Sequence, residues 1–324
     1  MASSEGNLAG LHPFLAAGVA VRRRGPHYSD LTLIEARKLS RARQGDPTRL
    51  PAVDAVDDFS IPGPAGPLPV RLYRPSPGPA LPLVVYFHGG GFVAGDLDSH
   101  DSILRRLALA SGGLVLSVAY RLAPEHPFPA AIEDAEAALQ HTLAHAGVLG
   151  ADPRAVFAGG DSAGAAIAFA AAGVVPGLAG MLLFYPVTDL SRLGETESYR
   201  RFGDGAAGLS LDDMQWSARH YAPEGTSRQD WRCSPLLVGE RVGLPPAFVA
   251  TAEYDVLRSE GEALANLLAA RGNSVEHHAV QGVNHGYLGA GDAVPQAAAT
   301  IAAAAAWIRT LVHSAGDDGA RPVR

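Results

Sequence analysis

The segment Gly160–Gly164 reads Gly-Asp-Ser-Ala-Gly and is the part of the sequence with the clearest capacity for chemistry. It follows a short apolar run, Arg154–Gly159, and precedes an alanine-rich stretch, an order that predicts a strand, a sharp turn and a helix. Glycines beside the serine tolerate the strained turn that projects a hydroxyl from a sheet edge. We therefore interpret Ser162 as a nucleophile, although the five residues alone also fit an ordinary glycine-rich turn.

A second glycine-rich segment lies upstream, directly after an apolar run. Leu81–Phe87 has the composition of a buried parallel strand, and His88–Phe92 follows it with three consecutive glycines. Such a backbone comes close to a ligand and turns N–H groups toward developing negative charge. We expect Gly89 and Gly90 to be oxyanion donors, with the N–H of Ala163 as the third. A phosphate-binding loop is the rival interpretation, but no Gly-Lys-Ser/Thr or G-x-G-x-x-G spacing accompanies these glycines.

An acid and a histidine follow downstream in the chain order that such a serine requires. Pro246–Ala252 predicts a strand, and Asp255 comes shortly after it. Ser274–Val280 predicts an edge strand and leads to His285. We expect Asp255 to hold the His285 imidazole in the tautomer that accepts the Ser162 proton, with His285 as the general base.

Several side chains compete for these roles. Glu253 could replace Asp255 if it lies in a loop, but a shorter acid after a turn is easier to hold in one position. His277 and His278 are adjacent within a predicted strand, so at most one shares a face with the active edge. We interpret both as ordinary surface or core residues. His88 is expected to anchor the glycine loop by hydrogen bonds instead of moving protons.

Taken together, five segments resemble the bacterial hormone-sensitive-lipase-like esterases, in the branch with the Gly-Asp-Ser-Ala-Gly elbow. The resemblance extends from about residue 50 to 312, and the segments are His88–Gly91, Tyr120–Ala130, Gly160–Gly164, Asp255–Arg258 and Asn284–Gly286. It implies a serine carboxylesterase with an α/β-hydrolase core, a mobile helical cap and no cofactor. The sequence departs from common family residues at Ala165, Val256 and Tyr287, none of which removes a reacting group.

The same residues also fit functions other than ester hydrolysis. A non-catalytic small-molecule receptor on the same fold is one alternative, which the presence of all three reacting side chains disfavours. Deacetylation of a secondary metabolite, lactone opening and amide hydrolysis use the same chemistry and stay open. A metal-dependent hydrolase would need clustered ligands, and no H-E-x-x-H or equivalent occurs, so no metal is expected.

The elements that position these residues are predicted from the alternation of apolar runs with helix-length segments, which favours a mainly parallel, eight-stranded sheet flanked by helices. The first two strands, joined by the proline- and glycine-rich turn Pro62–Pro67, should form an antiparallel edge. The predicted strands are Ala52–Ile61, Pro69–Arg74, Leu83–Phe87, Leu114–Ala119, Ala155–Ala158, Gly180–Tyr185, Ala247–Thr251 and Val275–Val280.

The chain is predicted to fold as one interrupted core with a cap. Composition changes after Asp189, where the sequence becomes polar and glycine-rich and carries Trp216, Tyr221 and Trp231, aromatic residues that pack the cap or line its pocket. We expect the core in residues 49–189 and 233–313, the cap in 1–48 and 190–232, and a disordered tail in 314–324.

Composition indicates which partners the protein can bind and which cellular compartment suits it. The chain has 324 residues, 47% hydrophobic and 18% charged, with a net charge of −7, which disfavours nucleic acid. The single cysteine, Cys233, suits a reducing compartment, and no secretory signal is visible, so a cytoplasmic location is expected.

The sequence favours no membrane span and leaves subunit contacts open. Residues 163–188 carry no charge, but glycines and a proline interrupt them, so a buried helix and strand are expected instead of a membrane span. The expected partner is a small-molecule ester. A homodimer through an edge strand or the last helix stays open, because no residue decides it.

Overall fold

The computed structural model describes residues 8–42, 50–78, 80–240 and 243–318 and contains one eight-stranded sheet. The strand order is β1-β2-β4-β3-β5-β6-β7-β8. Strand β2 pairs antiparallel with β1 and β4, and all other pairs are parallel. The strands are β1 (Ala55–Gly63), β2 (Gly66–Arg74), β3 (Leu81–Phe87), β4 (Leu114–Val118), β5 (Ala151–Asp161), β6 (Gly180–Phe184), β7 (Ala247–Tyr254) and β8 (Val275–Asn284).

This sheet confirms the predicted α/β-hydrolase architecture, including the antiparallel first pair. Strands β1 and β2 run further into their turn than predicted, since Pro62 pairs with Pro67 and Gly63 with Gly66. Strand β4 pairs with β2 only at Val70 to Tyr73, so the prolines lie where no further strand needs their missing N–H groups. Strand β8 also extends beyond the prediction and ends at Asn284, next to His285.

Nine helices accompany the sheet in the described part of the chain. They are α1 (Pro13–Arg22), α2 (Leu33–Ala42), α3 (Asp101–Ser111), α4 (Ala130–Leu149), α5 (Ala163–Ala172), α6 (Glu197–Phe202), α7 (Leu211–Tyr221), α8 (Arg258–Ala270) and α9 (Pro295–Asp318). No helix among the described residues is long and apolar enough to cross a membrane. The uncharged stretch 163–188 contains the buried helix α5 and the buried strand β6, as expected.

Two hydrophobic cores lie on opposite faces of the sheet. In β3, Val85 and Phe87 pack into one core and Val84 and Tyr86 into the other, because successive side chains of a strand point to opposite faces. Helices α4, α5 and α8 contribute to the first core, and α3 and α9 to the second. Burial on both faces explains why the central strands are apolar throughout.

The C-terminal helix is longer than the sequence suggested. Helix α9 continues to Asp318, so the expected disordered tail is wrong for residues 314–318. An alanine-rich run has high helix propensity, and the helix docks on the sheet through Ile301 and Trp307, which carries the helix past the point where its composition becomes polar. Residues 319–324 lie outside the described part of the chain.

Candidate active site

Ser162 occupies a strained turn between β5 and α5. Its backbone angles are φ 55° and ψ −120°, a conformation that costs about 1–3 kcal/mol for a residue with a side chain. The two flanking glycines are required by space: a Cβ on Gly164 would lie 1.9 Å from the Phe87 carbonyl oxygen, and one on Gly160 would lie 2.4 Å from Gly164. The Ser162 N–H also donates to the Phe184 carbonyl at 2.8 Å, which links the turn to β6.

His285 and Asp255 lie beside this serine, although 123 and 30 residues separate the bonded pairs in sequence. His285 Nε2 is 2.9 Å from Ser162 Oγ, and its Nδ1 is 2.7 Å from Asp255 Oδ2. An ionised carboxylate only accepts hydrogen bonds, so Nδ1–H donates to Asp255 and Nε2 is left to accept from the serine hydroxyl. Asp255 is 2% exposed, and its second oxygen accepts from the Leu257 N–H at 3.0 Å.

The competing acid has a different partner. Glu253 Oε2 accepts the Gly282 N–H at 2.8 Å, which ties the end of β7 to β8. Glu253 thus holds β8, the strand that leads to His285, and its carboxylate is bonded to the backbone of that strand. His277 Nε2 lies 3.0 Å from Thr251 Oγ1 and His278 Nε2 lies 2.7 Å from Glu276, so both adjacent histidines make contacts outside the serine site.

The glycine loop differs from the prediction at one position. The Gly89 N–H donates to the buried Asp161 carboxylate at 3.0 Å, a charge-assisted bond that leaves it unavailable to a substrate oxygen. Gly89 is therefore wrong as a free oxyanion donor. Gly90 and Gly91, with φ of 130° and 62°, both line the cavity above Ser162. Ala163 begins α5 next to the serine, where helix N–H groups have no intrahelical acceptor.

His88 anchors this loop, as the sequence suggested. Its Nδ1–H donates to the Gly89 carbonyl at 2.8 Å, and its ring stacks on Tyr120 with centroids 4.4 Å apart. The Tyr120 hydroxyl donates to the His88 carbonyl at 2.6 Å. Burial, together with repulsion from His100, lowers the pKa of His88 to about 4, so this ring is neutral and holds the loop without carrying a charge.

One residue in contact with the histidine was missed by sequence reasoning. Tyr185 directly follows β6, is fully buried and has a φ of 36°, which is strained for a residue with a side chain. Its ring packs edge-on against His285, with centroids 4.9 Å apart, and against Tyr287 at 5.5 Å. The available signal was its place after a central strand, at the same sheet edge as Ser162.

A cavity of about 330 Å³ opens above Ser162 and His285. Residues of both the N-terminal segment and the segment 190–232 line it, among them Tyr28, Leu209, Met214 and Trp216. Most of the lining is hydrophobic or glycine, so the cavity suits an uncharged organic group.

The three aromatic residues of the polar segment take different positions. Trp216 lines the cavity, whereas Tyr221 is buried and stacks on Phe92 with centroids 3.8 Å apart. Trp231 packs against Phe169 of α5 at 6.5 Å. Trp216 therefore lines the pocket, whereas Tyr221 and Trp231 serve packing.

One buried carboxylate joins the two segments above the cavity. Asp213 of α7 accepts hydrogen bonds from Arg22 Nη2 at 2.8 Å, from the Tyr28 N–H at 3.0 Å and from the Ser210 N–H at 3.2 Å. The Asp213 side chain is 2% exposed and that of Arg22 is 20% exposed. This carboxylate therefore both caps α7 and fastens the N-terminal segment to it.

Replacing Asp213 with alanine is expected to lower the free energy of unfolding by about 1–3 kcal/mol, because buried donors on Arg22 and Tyr28 lose their acceptor. Urea denaturation followed by tryptophan fluorescence measures this change. Asp212→Ala is the matched control, since Asp212 is the exposed neighbour in the same helical turn. Equal denaturation midpoints for the two variants would show that Asp213 does not fasten the segments.

Known proteins resemble this chain over most of its length. A family model described as alpha/beta hydrolase fold matches residues 84–289. Carboxylic ester hydrolase LipN of Mycobacterium tuberculosis is 43% identical over 246 residues, which are 72% of this chain and 64% of that protein. Esterase LipI of the same organism is 40% identical over 271 residues, 80% of this chain and 82% of LipI.

Solved structures of esterases have a similar fold. An esterase from Pyrobaculum calidifontis superposes with a TM-score of 0.85 at 34% identity, covering 93% of this chain and 99% of the esterase. A thermostable esterase from Pseudomonas putida gives a TM-score of 0.86 at 31% identity, covering 93% of this chain and 98% of that one.

Proposed function

The chain belongs to the bacterial hormone-sensitive-lipase-like family of carboxylic ester hydrolases, and from this premise we propose that it hydrolyses short- to medium-chain acyl esters through Ser162, His285 and Asp255. The observation that carries the proposal is the continuous chain of hydrogen bonds from Ser162 through His285 to Asp255, at the floor of the cavity. In such an arrangement the imidazole activates the serine hydroxyl as a nucleophile, and the buried carboxylate orients the imidazole.

In the first step, Ser162 Oγ attacks the ester carbonyl carbon while His285 Nε2 takes the hydroxyl proton. The carbonyl oxygen becomes negatively charged, and Asp255 stabilises the imidazolium that forms on the other side. When the tetrahedral intermediate collapses, the bond to the alcohol oxygen breaks and the His285 proton passes to that oxygen. The products of this step are the free alcohol and an acyl group on Ser162.

In the second step, water replaces the alcohol. His285 Nε2 removes a proton from the water as its oxygen attacks the acyl carbon, and the same proton then returns to Ser162 Oγ as the acid leaves. The enzyme is restored with no change in oxidation state. This cycle needs no cofactor, as the family resemblance implies.

The oxyanion is proposed to bind the N–H groups of Gly90, Gly91 and Ala163. Gly91 replaces Gly89 in this set because the Gly89 N–H is engaged by Asp161. A preorganised donor of this kind lowers the barrier by about 3 kcal/mol. The Ser217 side chain lies close to Gly91, since a Cβ added at Gly91 would be 2.5 Å from Ser217 Oγ, and the backbone φ of 62° at this position also favours glycine.

A small acyl group fits the cavity best. A volume of about 330 Å³ is at the low end of ligand sites, and both parts of the ester must share it. A relative from Pseudomonas putida that is 36% identical over 75% of this chain is named ethyl acetate hydrolase, which also supports small substrates. Acetylated metabolites and lactones of similar size fall within the same proposal.

A series of p-nitrophenyl esters tests this function and its chain-length limit. We expect kcat/KM to be highest for acyl chains of two to about six carbons and to fall at least about tenfold for chains of twelve or more, because a long chain does not fit under the cap. The initial rate of p-nitrophenolate release measures it for each ester under identical conditions. A maximum at long chains would contradict the pocket assignment, and no turnover of any ester would contradict the function.

The remaining assignments belong to the same proposal. We propose a core in residues 49–189 and 233–313 and a cap in 1–48 and 190–232, supported by the shared lining of the cavity; residues 1–7 and 43–49 lie outside the described part. A cytoplasmic location is supported by the single cysteine, Cys233. Strand β8 is an edge of the sheet, and an edge strand can pair with a second copy, which supports a homodimer.

A further inference from the structure

A second histidine and aspartate pair lies on the other side of Ser162. Asp161 directly precedes the serine and is 5% exposed. His100 Nε2 is 3.0 Å from Asp161 Oδ1 and 3.3 Å from Oδ2. His100 also lines the cavity, at the start of α3. The mechanism above uses neither side chain.

Both ring nitrogens of His100 lie within hydrogen-bond distance of polar neighbours. Its Nδ1 is 2.9 Å from Ser99 Oγ, which already gives its single proton to the Asp96 carbonyl at 2.6 Å. Ser99 Oγ can therefore only accept from His100 Nδ1–H. On the other side, His100 Nε2 lies next to the Asp161 carboxylate and also 3.3 Å from the Gly89 N–H. His100 thus links Ser99 to both members of the Asp161–Gly89 pair.

The groups around Asp161 are consistent with an ionised carboxylate. Burial alone would raise the pKa of Asp161, but attraction to His100 and hydrogen bonds from His100, Tyr86 and Gly89 outweigh burial and keep this pKa below its usual value. The Tyr86 hydroxyl donates to Oδ1 at 3.0 Å. Of the neighbouring ionisable groups, His88 is neutral, and burial raises the pKa of Tyr185 well above its usual value.

Asp161 joins the nucleophile to the loop that must receive the oxyanion. It is one residue before Ser162, and it accepts the N–H of Gly89, which is one residue before Gly90. The hydrogen bond between Asp161 and Gly89 thus connects the residue before the attacking serine to the residue before the first proposed N–H donor. A Cβ on Gly89 would lie 2.5 Å from Asp161 Oδ2, so the loop also packs directly on this carboxylate.

We propose that His100 is a positioning residue for ester hydrolysis: through its contacts with Asp161 and the Gly89 N–H, it holds that carboxylate against Gly89 and so keeps the glycine loop in register with Ser162. The inference rests on the proposed function. Without His100, the buried carboxylate loses one of its hydrogen-bond partners, and it shifts away from the loop. A displacement of about 1 Å in such a site costs up to about 100-fold in rate.

Kinetics of His100→Ala and His100→Gln test this role. For His100→Ala we expect kcat on p-nitrophenyl acetate to fall about 10- to 100-fold with KM changed less than about threefold, since the loop acts on the transition state. Glutamine keeps an N–H donor for Asp161 but has no rigid ring that also reaches Ser99, so His100→Gln should lie between His100→Ala and the unchanged enzyme. His313→Gln, an exposed histidine on α9, is the control and should match the unchanged enzyme.

An oxyanion-forming inhibitor separates this role from a structural one. A trifluoromethyl ketone adds Ser162 Oγ to its carbonyl carbon and presents the resulting oxyanion to the loop, so its Ki should rise by about the same factor by which kcat/KM falls. The Kd of p-nitrophenyl acetate, measured in Ser162→Ala with and without the His100 change, should stay constant.

The outcomes distinguish the two proposals. An unchanged kcat in both His100 variants, or a loss expressed wholly in KM with an unchanged Ki, would overturn the role of His100 while leaving ester hydrolysis intact. Absence of turnover in the unchanged enzyme would instead overturn the function. If His100→Ala does not fold, His100→Gln decides the question on the same measurements.

Discussion

Replacing Ser162 with alanine is expected to reduce kcat on p-nitrophenyl acetate by about 10⁶-fold, with the protein still folded. The change removes only the hydroxyl oxygen, which is the attacking atom of the proposed mechanism and the hydrogen-bond partner of His285 Nε2. It also leaves the strained turn, the flanking glycines and the packing of α5 in place. The remaining rate, from the oxyanion donors and binding alone, should stay above that of the uncatalysed reaction.

Labelling with a fluorophosphonate probe distinguishes a serine hydrolase from a non-catalytic receptor. It should label the unchanged protein at Ser162, located by peptide mass spectrometry, and should not label Ser162→Ala. Ser60→Ala, an exposed serine on β1, is the matched control and should keep both turnover and labelling. Circular dichroism checks the fold of each variant. Undiminished hydrolysis by Ser162→Ala would refute the nucleophile, and ligand binding without labelling would identify a receptor.

Replacing Asp255 with asparagine is expected to lower kcat by about 10⁴-fold with little change in KM. Asparagine keeps the shape and the acceptor for the Leu257 N–H, but its amide can present N–H toward His285 Nδ1. The ring then favours the tautomer with hydrogen on Nε2, which cannot accept the serine proton. Steady-state kinetics with p-nitrophenyl butyrate measures the loss.

Glu253→Gln is the control for the identity of the acid. Its carboxylate accepts the Gly282 N–H, a bond that the glutamine amide oxygen can keep, so we expect less than about a tenfold change in kcat. A larger loss in Glu253→Gln than in Asp255→Asn would show that the acid is misassigned. The two carboxylates are two residues apart, and each variant removes one negative charge. A difference in kcat between Asp255→Asn and Glu253→Gln therefore reports the position of the carboxylate and not the loss of charge.

Local sequence patterns were sufficient for the elements and for the order of the reacting groups. Apolar runs predicted the central strands, since burial on both faces leaves no polar alternation to obscure them. The partly exposed strands β1 and β8 were predicted as edge strands. The glycines at 160 and 164 were recognisable because no Cβ fits beside β3 or within the turn. Strand ends were predicted less well, as in β8, because pairing with β7 carries the strand on to Asn284.

Contacts between distant segments were not predictable in the same way. The commitment of the Gly89 N–H to Asp161 depends on where two strand ends meet, and consecutive glycines are alike in sequence. The fastening of Arg22 to Asp213 joins residues 191 positions apart, and no local pattern pairs them. His100 was one of twelve histidines, distinguished only by the polar neighbours of both of its ring nitrogens.

By itself, the sequence determined the fold class, and it predicted the turn at Ser162 and the side chains that we propose for acyl transfer, because each depends on residue type and short spacing. The tertiary structure decided which acid faces His285, which amides stay free and which residues close the cavity. These depend on the directions in which side chains and N–H groups point when separate strand ends meet at one sheet edge, and direction is a property of the packed chain.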